Sequence, residues 1–164
     1  MTSRIGVVLA GALVTLVAAG STLAAASTQA KPILFKATYS GKAVTQQTGD
    51  VVDITARGTG KGLPIGAGTI TGKGKADSSI QPCAPFVGPG VMVGTARTKL
   101  AFTVLPGSSG CGDEAGQVFA VSGKAKVNSA TGKLAKAKGT LKFSGTYDRG
   151  TGAFTVTFKG TLTR

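Results

Sequence analysis

The chain closes on FSGTYDRGTGAFTVTFKGTLTR, Phe143 to Arg164, whose apolar and polar residues alternate. Phe154, Val156, Phe158, Gly160 and Leu162 share one parity, and Thr155, Thr157, Lys159, Thr161 and Thr163 share the other. A strand sends successive side chains to opposite faces, so the first set makes a dry face and the second a wet one. Threonine suits the wet face, because its branched Cβ favours extended backbone while its hydroxyl meets water.

The same alternation recurs over 33–41, 52–58, 68–74, 100–104, 119–127 and 141–147. Turn chemistry separates these runs at Thr48–Asp50, at Gly62–Gly66 with Pro64, at Pro106–Gly112, at Asn128–Gly132 and at Asp148–Gly152, with a longer excursion over Pro82–Gly90. No segment repeats with a helical period. The expectation is an all-β domain: seven or eight antiparallel strands in an up-and-down meander, closed into a small, about eight-stranded β-barrel that has no free edges.

Parity sends every aromatic inward except Phe86. Tyr39, Phe102, Phe119, Phe143, Tyr147, Phe154 and Phe158 are therefore the expected ligand-facing interior. The inward positions also carry many glycines, such as Gly58, Gly60, Gly72, Gly74 and Gly145, which either permit tight coiling or leave room for a ligand. A loose repeat joins Ser122–Leu141 to Ser144–Leu162, each copy reading as strand, turn and returning strand.

Ahead of the barrel, one positive charge at Arg4, an uncharged apolar run from Ile5 to Gly20 and a small-residue ending have the layout of a secretory signal peptide. Cleavage is expected after Ala26 or Ala30, with 1–30 as leader and 31–164 as one barrel domain, secreted to the extracellular space or cell envelope. No second apolar run of spanning length follows, so no stable membrane span is expected after cleavage. In an oxidising compartment the isolated pair Cys83 and Cys111 reads as a disulfide, contributing roughly 3 to 4 kcal/mol in the chain-entropy model. A redox or metal pair is disfavoured, because there is no C-x-x-C and no histidine.

The chain holds 19 Lys and Arg against 6 Asp and Glu, a net charge of +13. Without Arg4 the count is 18 against 6, or +12. Such a charge draws polyanions, anionic cell-envelope polymers among them, and Lys124, Lys126, Lys136, Lys138 and Lys142 are the expected surface for them. Outward lysines also keep strand edges from pairing with neighbours. No specific nucleic-acid partner is expected, since the aromatics point inward and neither a P-loop nor a Rossmann fingerprint is present.

Histidine is absent, which removes Ser-His and Cys-His mechanisms and the commonest metal ligand. Asp113 and Glu114 read as a solvated acidic turn, and Asp53 as a counter-charge to basic strands beside it. No catalytic residue, metal or cofactor is assigned.

The run TGKLAKAKG, Thr131 to Gly139, resembles the TGRFAGATG-like signature of secreted bacterial β-barrels related to the allene oxide cyclase and dirigent barrel. GTGKGLPIGAGTITGKG, Gly58 to Gly74, is similar to that group's earlier glycine-spaced hairpin, and GDE, Gly112 to Glu114, to its polar turn. The resemblance spans roughly 37–161 and implies the fold; no cyclase catalytic constellation has a match here. The leading functional expectation is a secreted, non-enzymatic β-barrel binding module that takes a small apolar ligand inside or an anionic envelope polymer outside. A cyclase or isomerase-type enzyme using the barrel interior is the alternative, and a structural surface protein the second.

Overall fold

The structure, a computed structural model, describes residues 31–164; the expected signal peptide lies outside the described residues. Nine strands form: β1 (Pro32–Thr48), β2 (Val51–Leu63), β3 (Gly66–Asp77), β4 (Cys83–Val93), β5 (Lys99–Val104), β6 (Ser109–Gly112), β7 (Val118–Ala130), β8 (Thr140–Asp148) and β9 (Ala153–Thr163). Every pairing is antiparallel, and apart from β5 and β6 each strand lies beside its neighbours in sequence until β9 returns to β1.

β5 and β6 are two pieces of one stave. Both pair with β4 on one side and β7 on the other, so nine strands make a closed eight-stranded barrel. The break spans Leu105–Ser108, where Pro106 and Gly107 turn the chain. Ser108 repairs it: its hydroxyl donates to the Leu105 carbonyl at 2.8 Å and accepts the Lys124 N–H at 3.2 Å. A buried hydroxyl thus satisfies backbone groups that the ladder drops.

Three expectations need correction. Pro82–Gly90 is a strand for most of its length, because Phe86, Gly88, Gly90 and Met92 alternate inward while Val87, Pro89 and Val93 face out. The prolines disguised it. Pro89 has no N–H to give, and it falls where the β3–β4 ladder lapses between the Gly72–Gly90 and Lys75–Val87 pairs. Pro106–Gly112 likewise is a turn only to Ser108, after which β6 begins. Finally, the returning half of the first repeat copy is not a strand: 131–139 makes a 3₁₀ turn at Gly132–Leu134 and drops Leu134 and Ala137 into the barrel end.

This segment positions the core. At the end where β1 and β8 begin, here the closed end, the Leu134 and Ala137 side chains meet Ile65 from the β2–β3 turn and Leu100, Leu141 and Leu162 from the staves, all buried. Met92, Phe35 and Ala37 complete the packing. Burying a side chain of the Leu or Ile size contributes about 1.5–3 kcal/mol, so this end supplies much of what holds the barrel together.

Candidate functional site

The opposite end is open. There the inner faces of the staves surround a cavity of about 440 Å³. Its aromatic lining centres on Phe158, whose ring centroid lies 5.3 Å from that of Phe102 and 5.6 Å from that of Phe143. Phe86 adds a fourth ring 5.9 Å from Phe143, so it points inward with the rest rather than outside the set. Tilted rings at these separations attract edge to face and make a firm apolar lining. Phe119 and Tyr147, 6.2 Å apart, face the same space with Phe154.

Of the aromatics expected to face a ligand, Phe102, Phe119, Phe143, Tyr147, Phe154 and Phe158 line the cavity. Tyr39 does not. It is fully buried among the core residues, its hydroxyl finds no hydrogen-bond partner, and burial pushes that hydroxyl up to about 12. Val104, Val121 and Ile54 also line the cavity; their inward parity was readable in sequence, but parity does not tell which inward groups border empty space.

Glycine has two roles in the staves. A Cβ on Gly60 would run into the Thr38 carbonyl and the Tyr39 ring, and one on Gly145 into the Thr155 carbonyl, so these glycines let adjacent staves coil close. A Cβ on Gly72 would find its nearest atom 3.8 Å away, and one on Gly110 would touch Val121 at an ordinary 3.5 Å. Both line the cavity, where the missing side chain is volume left for a guest.

Polar groups gather at the mouth. The expected disulfide forms between Cys83 and Cys111, cross-strand partners on β4 and β6, and ties the rim where the split stave is shortest. Arg149 sits in the β8–β9 turn and lines the cavity. Its N–H donates to the Gln117 carbonyl at 2.8 Å, while Asp148 accepts the Thr151 N–H at 2.9 Å and so folds the turn. That bond holds the Asp148 carboxyl below the usual carboxylate range. Thr45, Gln47, Lys73, Ser78 and Gln81 complete the polar lining.

The acidic residues all belong to this half: Asp50, Asp53, Asp77, Asp113, Glu114 and Asp148 stand on strand ends or turns of the open end. Asp53 pairs with Lys75 at 2.6 Å, as a counter-charge should. Asp113 accepts the Gln117 N–H at 2.8 Å in a tight turn, which uses its carboxylate structurally. Among the described residues no group of three His, Cys, Asp or Glu could hold a metal ion.

The expected polyanion set divides. Lys124 and Lys142 are direct partners across β7 and β8, with Lys126 two residues further along. Lys136 and Lys138 are exposed on the segment that closes the barrel, where the Lys138 backbone bridges to Thr163 of β9. No helix among the described residues is long and apolar enough to cross a membrane. Comparison of the chain with protein-family models, with curated proteins and with solved structures finds no match.

Proposed function

We propose that this protein is a secreted, non-enzymatic barrel that binds one small, uncharged, apolar ligand in the cup at its open end. The observation that carries this reading is the cavity of about 440 Å³, open at one end, lined by aromatic rings and floored by packed core. Ligand sites are typically concave and mostly apolar, run about 300–1,000 Å³, and carry a few polar groups at fixed places. Tyr147, Arg149 and the mouth amides are such groups here.

Charge argues for an uncharged guest. Two cations, Lys73 and Arg149, line the cavity, but the open half as a whole holds six acids against the four cations Lys42, Lys73, Lys75 and Arg149 and so carries no positive excess. No carboxylate, thiol or imidazole lines the cavity, and the reading is therefore binding without chemistry. Kinship with the allene oxide cyclase and dirigent-like barrels is part of the proposal and rests on the Thr131–Gly139 and Gly58–Gly74 motifs.

The test is a fluorescence titration with the neutral apolar dye N-phenyl-1-naphthylamine. The unmodified barrel takes up one dye per chain, and Gly72→Leu, which extends a side chain into the cavity, weakens uptake at least tenfold while leaving the melting temperature within a few degrees. Dye binding that ignores Gly72→Leu, or no binding at all, overturns the reading.

A further inference from the structure

Four lysines stand in one row across the outer wall. Lys36 on β1 is the direct partner of Lys159 on β9, Lys159 of Lys142 on β8, and Lys142 of Lys124 on β7. All four are exposed. Neighbouring strands lie ~4.8 Å apart, so the row runs ~14 Å over four adjacent strands. Like charges directly opposite one another destabilise a sheet, and here three such pairs follow in succession.

Nothing beside the row offsets this cost. The single ion pair among the described residues, Lys75 with Asp53, lies on the open half. Removing Arg4 from the chain's 19 Lys and Arg leaves 18 in residues 31–164, of which four stand on the open half and two, Arg57 and Lys124, at mid-strand. The other 12 occupy the closed half, which has no acid.

A second row runs parallel to the first. Two residues along each strand come Thr38, Thr157, Ser144 and Ser122, again direct partners in the same order. Thr38 and Thr157 share a hydroxyl hydrogen bond at 2.9 Å. Ammonium groups beside a file of hydroxyls are the donors that phosphoryl oxygens accept from.

We propose that this double row is a binding track for a linear phosphate polyanion without stacking bases, crossing β1, β9, β8 and β7. Two features select that partner. The row covers three of the barrel's eight interstrand steps, about three-eighths of a turn around a convex wall. A flexible chain follows such a curve, whereas a flat bilayer touches only part of it. The large apolar groups exposed on the surface include no aromatic, so there is no platform on which a nucleic acid could stack its bases. The track lies on the outer face and does not depend on the cup being a ligand site.

Long-chain inorganic polyphosphate is the probe, titrated at several salt concentrations against the full 31–164 chain and two variants of equal net charge. Lys36→Gln/Lys142→Gln/Lys159→Gln removes most of the row; Arg97→Gln/Lys99→Gln/Lys133→Gln removes three exposed cations outside both rows. The row variant binds at least tenfold more weakly, its log K against log salt slope is flatter by about 2 to 3, and the control variant loses less than threefold. The row variant also melts higher than the unmodified protein at low salt, and the gain vanishes at high salt, because removing opposed charges relieves repulsion. Equal losses in both variants would mean that net charge alone acts and would overturn the track. Phosphatidylglycerol vesicles or single-stranded DNA binding as tightly, with the same dependence on the row, would overturn the choice of partner. A row variant that melts lower at low salt would overturn the premise of repulsion.

Discussion

At the closed end, Leu134 and Ala137 from the segment after β7 and Ile65 from the β2–β3 turn fill the space between Leu100, Leu141 and Leu162, whereas at the open end the same staves face a cavity of about 440 Å³. The strands leave volume at the open end through inward Gly72 and Gly110, but they do not plug the other end. The connections do. Those at the closed end send apolar side chains inward, while the turns at the open end, Gly49–Asp50, Ser78–Pro82 and Arg149–Gly152, carry polar or small residues that stay at the rim apart from Ile80, which is itself exposed. A barrel of this size becomes a container when one set of loops plugs it and the other does not. The plug also gives the cup its floor, so packed core and cavity lie at opposite ends of one continuous sheet.

Equal kinds of contact cut at the two ends are expected to have unequal costs. Leu134→Ala removes a fully buried side chain from packed surroundings and is expected to cost about 2–5 kcal/mol, since the lost transfer energy and the new void add. Val121→Ala trims a wall that already borders empty space, creates no new enclosed void, and is expected to cost under about 1 kcal/mol. Urea unfolding of both variants decides. Comparable losses would mean that the open half is as tightly packed as the closed one.

A smaller effect depends on pH. The Tyr39 hydroxyl lies in the packed region with its ionisation pushed from 10.0 to about 12 by burial. The neutral form is favoured in the folded state, so Tyr39 contributes stability that is whole below pH 10 and is lost as pH rises toward 12. Tyr39→Phe should leave stability at pH 7 unchanged or raised, because the hydroxyl has no partner to lose. It should also flatten the fall in melting temperature between pH 10 and 12 relative to the unmodified chain. An unaltered alkaline profile would show that Tyr39 is wetter than the packing implies.

Alternation in the sequence made most of the barrel legible, including the inward set from Phe102 to Phe158 that lines the cup. β4 escaped because Pro85, Pro89 and the glycines around Phe86 read as a loop, although their parity was intact. The plug escaped for a different reason: Leu134 and Ala137 are spaced among Lys133, Lys136 and Lys138, and the charges dominate the reading of that run. The place of the cup was not legible, since parity says which face a residue takes but not which end of the barrel is filled. The lysine row needed register, because Lys36 and Lys159 lie 123 positions apart in the chain and meet only when β9 closes on β1.

Methyl NMR of the 31–164 chain titrated with N-phenyl-1-naphthylamine separates a solid end from a receptive one. Saturable shifts confined to Val104, Val121, Val156 and Ile54, which line the cavity, with Leu100, Leu134, Leu141 and Leu162 of the plugged end unmoved, are the predicted result. Shifts centred on the leucines, or spread evenly over both ends, would contradict it.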